Sequence, residues 1–68
     1  METIEIKTES IQLDQLLKWA SAAATGGEAK HLIQSGQVLL NGTVETRRSK
    51  KVHRNDIVTV GNRTFKVI

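Results

Sequence analysis

A chain of 68 residues with ten Lys and Arg, seven Asp and Glu and a formal net charge of +3 has room for one small domain. A domain of this size buries only about 60% of the surface its unfolded chain exposes. Cysteine is absent, which excludes a disulfide framework and a thiolate metal site. The opening METIEIKTES lacks the basic-then-apolar pattern of a signal peptide, and no apolar run approaches about 20 residues. A soluble, cytoplasmic protein with no membrane association is therefore expected.

The first predicted element is a short edge strand over residues 3–7, where Ile4 and Ile6 alternate with Thr3, Glu5 and Lys7. From Leu13 the period lengthens. Leu13, Leu16, Leu17, Ala20 and Ala24 form one apolar stripe at helical spacing, predicting a first helix over about 13–23. Trp19 falls at the edge of that stripe, where core packing is the first expectation and base stacking the second.

Thr25-Gly26-Gly27-Glu28 reads as a capping box, with the Thr25 hydroxyl accepting from the Glu28 amide and Glu28 reaching back to the amide of Thr25. It predicts a second helix from Gly26 to about Ser35, with Ala29, Leu32 and Ile33 inward, Lys30 and Gln34 on the flank and His31 on the far side. Gly36 stands where a left-handed C-cap residue belongs.

Beyond Gly36 the pattern becomes strand-like. Val38 and Leu40 lead into Asn41-Gly42, the strongest two-residue hairpin signal, and Val44 resumes the alternation. Asn55-Asp56 predicts a turn, residues 57–60 a strand, and Gly61-Asn62 a type II′ turn into residues 63–68. There Phe65 and Val67 share a face opposite Thr64 and Lys66. The expected architecture is a single α+β domain over residues 1–68, a two-helix hairpin packed on a small curved antiparallel sheet.

Charge is unevenly placed along this order. Residues 1–34 hold three Lys against five Asp and Glu, whereas residues 35–68 hold seven Lys and Arg against two acids. Five of those seven cations, Arg47, Arg48, Lys50, Lys51 and Arg54, lie within VETRRSKKVHR at residues 44–54. So dense a positive field is costly to hold together unless a polyanion completes it. A solvated surface serving only solubility asks for fewer charges than this.

LDQLLKWA at 13–20, GGEAKHLIQSGQVLLNG at 26–42 and NDIVTV at 55–60 together resemble the S4 RNA-binding domain family. The family pattern runs as a leucine-rich first helix, a Ser-Arg pair, an alanine, an apolar pair, Gly-x-Val-x-Val-Asn-Gly, a basic stretch and Gly-Asp before the last strands. The resemblance covers about residues 11–60 and is strongest to the short stand-alone YaaA- and YbcJ-like bacterial members. Gly26-Gly27 stands in place of the Ser-Arg pair, and Asn55 in place of the Gly of Gly-Asp. The resemblance implies an S4-like (αL motif) fold and a non-catalytic surface for structured RNA, with ribosomal RNA or a ribosome assembly intermediate as target. A ribosomal or assembly-factor protein is the further partner it implies, and a monomer without cofactor the expected state.

Carried across by position, the RNA-facing residues are Lys30 near the start of the second helix and Arg47, Arg48, Lys50 and Lys51 in the basic stretch. Arginine offers a planar fork and lysine a mobile point charge, so the mixture suits backbone tracking and shape recognition. Gly26 and Gly27 either admit a phosphate to the helix amides or form a plain turn. Asn41 either contacts RNA or simply tolerates the left-handed turn, Lys18 extends the basic surface or is solvated, and Arg54 joins that surface or pairs with Asp56. The surface is expected to join Lys30, at the amide end of the second helix, to residues 47–51.

Competing classes are weaker. There is no Walker-type loop, no Cys nucleophile and no carboxylate pair with a plausible cleft, and His31 and His53 lack a third metal ligand. No helix rich in Arg, Asn or Gln suggests major-groove reading of DNA. A small protein-interaction adaptor acting on a larger ribonucleoprotein or enzyme is the alternative, and it predicts an uncovered apolar patch.

Overall fold

In a computed structural model describing residues 1–68, the order is β1 (Glu2–Ile4), β2 (Ser10–Gln12), α1 (Leu13–Trp19), α2 (Gly26–Gln34), β3 (Val38–Leu40), β4 (Thr43–Val44), β5 (Lys51–His53), β6 (Ile57–Val60) and β7 (Arg63–Val67). Five strands form one sheet in the order β1-β7-β6-β3-β4, and β2 and β5 form a separate two-stranded ribbon. The architecture is α+β, with two helices packed on a small sheet.

The turns follow their residues. Asn41 and Gly42 take φ of 52° and 84°, both left-handed as a type I′ hairpin requires, and connect β3 to β4. Gly61, at φ 60°, turns β6 into β7. β3, β4, β6 and β7 pair antiparallel, but β1 joins β7 in parallel, with Glu2 opposite Phe65 and Ile4 opposite Val67. The expected sheet was antiparallel throughout. Alternation marks a strand's covered face but not its direction, and no hairpin links β1 to β7 to fix one. The ribbon was not expected either, because a three-residue strand whose one apolar member is Val52 carries almost no periodic signal.

The core is shared between layers: Leu13, Leu16 and Leu17 from α1, Ala29 and Ile33 from α2, Val52 from the ribbon, and Val38, Val58, Val60, Phe65 and Val67 from the sheet are all buried. Phe65 and Val67 share the covered face of β7, as their alternation predicts.

α1 ends earlier than the predicted boundary near residue 23. Ser21 is left-handed at φ 58°, its N–H donates to the Lys18 carbonyl at 3.0 Å, and the Ala22 N–H donates to that of Leu17 at 2.8 Å. This is a Schellman closure with Ser where Gly is usual. The turn buries Ala23 and leaves Ala24 exposed, so Ala24 is not part of the stripe. α2 closes identically on Gly36, at φ 81°, with Gly36 N–H donating to Ile33 and Gln37 N–H to Leu32. At its start the Thr25 hydroxyl accepts from the Glu28 amide at 3.1 Å, but Glu28 returns no bond, so only half of the capping box forms.

Candidate nucleic-acid interface

α1 starts with no side-chain cap on its N-cap residue Gln12. A helix start leaves its first N–H groups without partners, and here the basic loop supplies them. Leu13 N–H donates to the Lys50 carbonyl at 2.9 Å and Asp14 N–H to the Arg48 carbonyl at 3.1 Å, while the Gln15 amide donates to Asp14 Oδ1 at 2.8 Å. β2 and β5 continue the same junction, with Gln12 opposite Lys51 and Ser10 opposite His53. The loop's backbone is therefore part of the helix cap, and its cations stand on a fixed base.

Each cation has a definite place. Arg48 Nε lies 3.4 Å from Asp14 Oδ2, and the Asp14 side chain is nearly buried while that of Arg48 is half exposed. Arg47 is held by Glu45 through two guanidinium bonds of 3.0 and 3.2 Å, and its amide donates to the same carboxylate at 3.0 Å. These hydrogen bonds, side chain first and backbone second, pull the Glu45 carboxyl down to about 2 and push Arg47 upward. Lys50 is half-buried at the turn, and Lys51 projects from β5 into solvent. Val52, between Lys51 and His53, points into the core, so the outer ribbon face carries the polar side chains.

Arg54 does not pair with Asp56. Its Nη2 donates to the Ile6 carbonyl at 2.9 Å. Asp56 instead accepts from the His53 amide at 2.8 Å and from Asn41 Nδ2 at 3.1 Å, while Asn41 Oδ1 accepts from the Ile57 amide at 2.9 Å. The Asn41 side chain is thus committed at both ends to joining two turns.

Gly26 and Gly27 open α2, and their N–H groups have no partner within the chain. Neither is left-handed, and a Cβ at either meets nothing closer than 3.9 Å. The fold therefore does not require glycine at these two positions. Lys30 is exposed on α2 and Lys18 on the last turn of α1. The loop caps the start of α1, whereas α2 follows its other end, so α1, about 10 Å long, stands along the chain path between the two sets.

Sequence reasoning missed the Asp14–Arg48 and Glu45–Arg47 pairs and the placement of Trp19, which is 61% exposed and not in the core. Only Glu45 gave a signal, since two residues apart on an extended chain puts it on the same side as Arg47. No three His, Cys, Asp or Glu converge as metal ligands, and no helix is long and apolar enough to cross a membrane.

Two short helices on a small sheet, with a cationic loop capping the first, define a small S4-like RNA-binding domain. The chain belongs to the S4 domain family, whose pattern it matches over residues 4–68. It is 38% identical over 66 residues to the probable ribosome maturation protein RlbA of Bacillus subtilis (strain 168), an alignment covering 96% of this chain and 93% of that protein. It is also similar to the solution structure of YbcJ from E. coli, which has an αL motif involved in RNA-binding, with a TM-score of 0.76 and 32% identity over 100% of this chain and 87% of the other.

Proposed function

We propose that this protein binds structured RNA, specifically ribosomal RNA or a ribosome assembly intermediate, in the cytoplasm and without catalysis. The observation that carries the reading is the basic loop as the cap of α1: the Lys50 and Arg48 carbonyls are locked onto the Leu13 and Asp14 amides. A charged loop so tethered loses little freedom when a phosphate backbone meets it, so electrostatic attraction converts more fully into affinity. The ribosomal target is supported by the likeness to a probable ribosome maturation protein.

Arg47, Arg48, Lys50 and Lys51 are the principal phosphate contacts in this reading, and Lys18 and Lys30 lengthen the track along the helices. Gly26 and Gly27 offer free amides to a phosphate at the start of α2. Arg54 and Asn41 act behind this surface, holding Ile6 and Asp56 respectively. Shape and backbone spacing, not base identity, are what such a surface senses in a duplex.

Sedimentation of the purified protein with isolated ribosomal subunits and their precursors tests the target. Co-migration with one of these populations is expected. Absence from all of them, with binding to a folded RNA hairpin retained, would remove the ribosomal target and leave the RNA reading.

A further inference from the structure

Trp19 is the one Trp of the chain and is 61% exposed, whereas Phe65, the one Phe, is 1% exposed. Its indole is nevertheless fixed, because Nε1–H donates to the Glu5 carbonyl at 3.1 Å. Beside it lies an open slot of about 200 Å³ lined by Ile6, Lys7, Thr8, Ile11 and Trp19. That volume falls below the ~300 Å³ at which drug-sized sites begin, and suits a single planar ring system.

One cation lines the slot and a second is bonded to the backbone behind it. Lys7 lines it, and the Arg54 guanidinium is bonded to the carbonyl of Ile6. Ile11 belongs to β2 and stands opposite Val52 of β5, so the slot borders the ribbon on the face away from Lys51 and His53. Exposed Glu5 and Glu9 offset Lys7 locally, so the slot itself favours an uncharged ring over a phosphate. An exposed aromatic face over an apolar slot, with one lysine at its rim, matches an unpaired base and the phosphate beside it.

We propose that the slot beside Trp19 receives one unpaired nucleobase of the bound RNA, stacked on the indole, with Lys7 at its rim meeting an adjoining phosphate. This deepens the RNA reading above and rests on it. A ring already anchored by its N–H gives up little side-chain freedom on stacking. The module then distinguishes a helix with a bulge or frayed end from an uninterrupted one.

The test compares an RNA hairpin bearing a single-nucleotide bulge, the same hairpin with an abasic bulge, and the perfect duplex, read by binding and by indole emission. The bulged RNA should bind most tightly and quench Trp19. Trp19→Ala should weaken it by about tenfold while leaving the perfect duplex unchanged, and Trp19→Phe should retain most of the preference with circular dichroism unaltered. Equal binding of base-bearing and abasic bulges, or an equal loss on all three RNAs in Trp19→Ala, overturns the subsite alone. A concentration-dependent emission change without RNA, from a second copy covering the slot, also overturns it. Failure of the wild type to bind any of the RNAs refutes the RNA reading together with the subsite.

Discussion

Asp14 and Arg48 hold each other twice, through the Asp14 N–H on the Arg48 carbonyl at 3.1 Å and through the Asp14 carboxylate 3.4 Å from Arg48 Nε. The second contact ties a cation of the basic loop to a side chain that is 6% exposed. Arg48 is therefore both a structural partner and a candidate phosphate ligand. Asp14→Ala should destabilise the fold by about 1–2 kcal/mol, from the lost helix-start acceptor and the lost pair, and Asp14→Asn by less because Oδ1 still accepts from Gln15. Urea unfolding measures both, and an unchanged midpoint in Asp14→Ala would show that the loop is not pinned through this residue.

Glu45 occupies the Arg47 fork that a phosphate would need. Glu45→Gln should tighten RNA binding several-fold at low salt, and weaker binding would mean that Glu45 positions Arg47 more than it competes.

The same pair gives a pH dependence. With the folded carboxyl at about 2 and its ordinary value at 4.5, the unfolded chain binds the extra proton between those limits, so stability from Glu45 rises with pH across them. The contribution is complete above about 4.5 and is lost as pH falls toward 2. Wild type should thus exceed Glu45→Gln in thermal stability at pH 6, with the difference vanishing near pH 2. A difference that does not change with pH would contradict the pair.

Ser21 carries a left-handed φ of 58° that glycine adopts without strain. Ser21→Gly should raise stability by about 0.5–1 kcal/mol, the steric relief being partly offset by the greater freedom of the unfolded chain. Chemical denaturation reads this directly, and a loss of stability would mean that the hydroxyl serves a role the closure does not reveal.

How much of this was legible in the chain follows from the range of each interaction. The α2 N-cap at Thr25, the Asn41-Gly42 hairpin and the buried face of Phe65 and Val67 are local, set by residues a few positions apart. The early stop at Ser21 was not legible, because an alanine-rich run continues a helix by propensity, whereas the turn that ends it here buries Ala23. The basic loop announced itself by composition. Its support did not, since Asp14 and Arg48 are far apart in the chain and the α1 cap is made by carbonyls, which every residue has.

Asn41 illustrates the same limit. Its turn was readable, but its bonds to Asp56 and Ile57 span the separation between two turns. Asn41→Ala should cost about 2–3 kcal/mol by losing both bonds and straining a left-handed residue, with Asn41→Gly costing less. RNA affinity of the folded fraction should stay unchanged in both, and a specific loss of affinity at full folding would place Asn41 in the interface.

The most direct measurement is the salt dependence of binding to a folded RNA hairpin, for wild type and for Arg47→Ala/Lys51→Ala, a pair that leaves the Asp14–Arg48 contact intact. The logarithmic slope of the double variant should be shallower by about 1.4–1.8, the loss of two phosphate contacts. Identical slopes and affinities for the two proteins would contradict the loop as the RNA-binding surface.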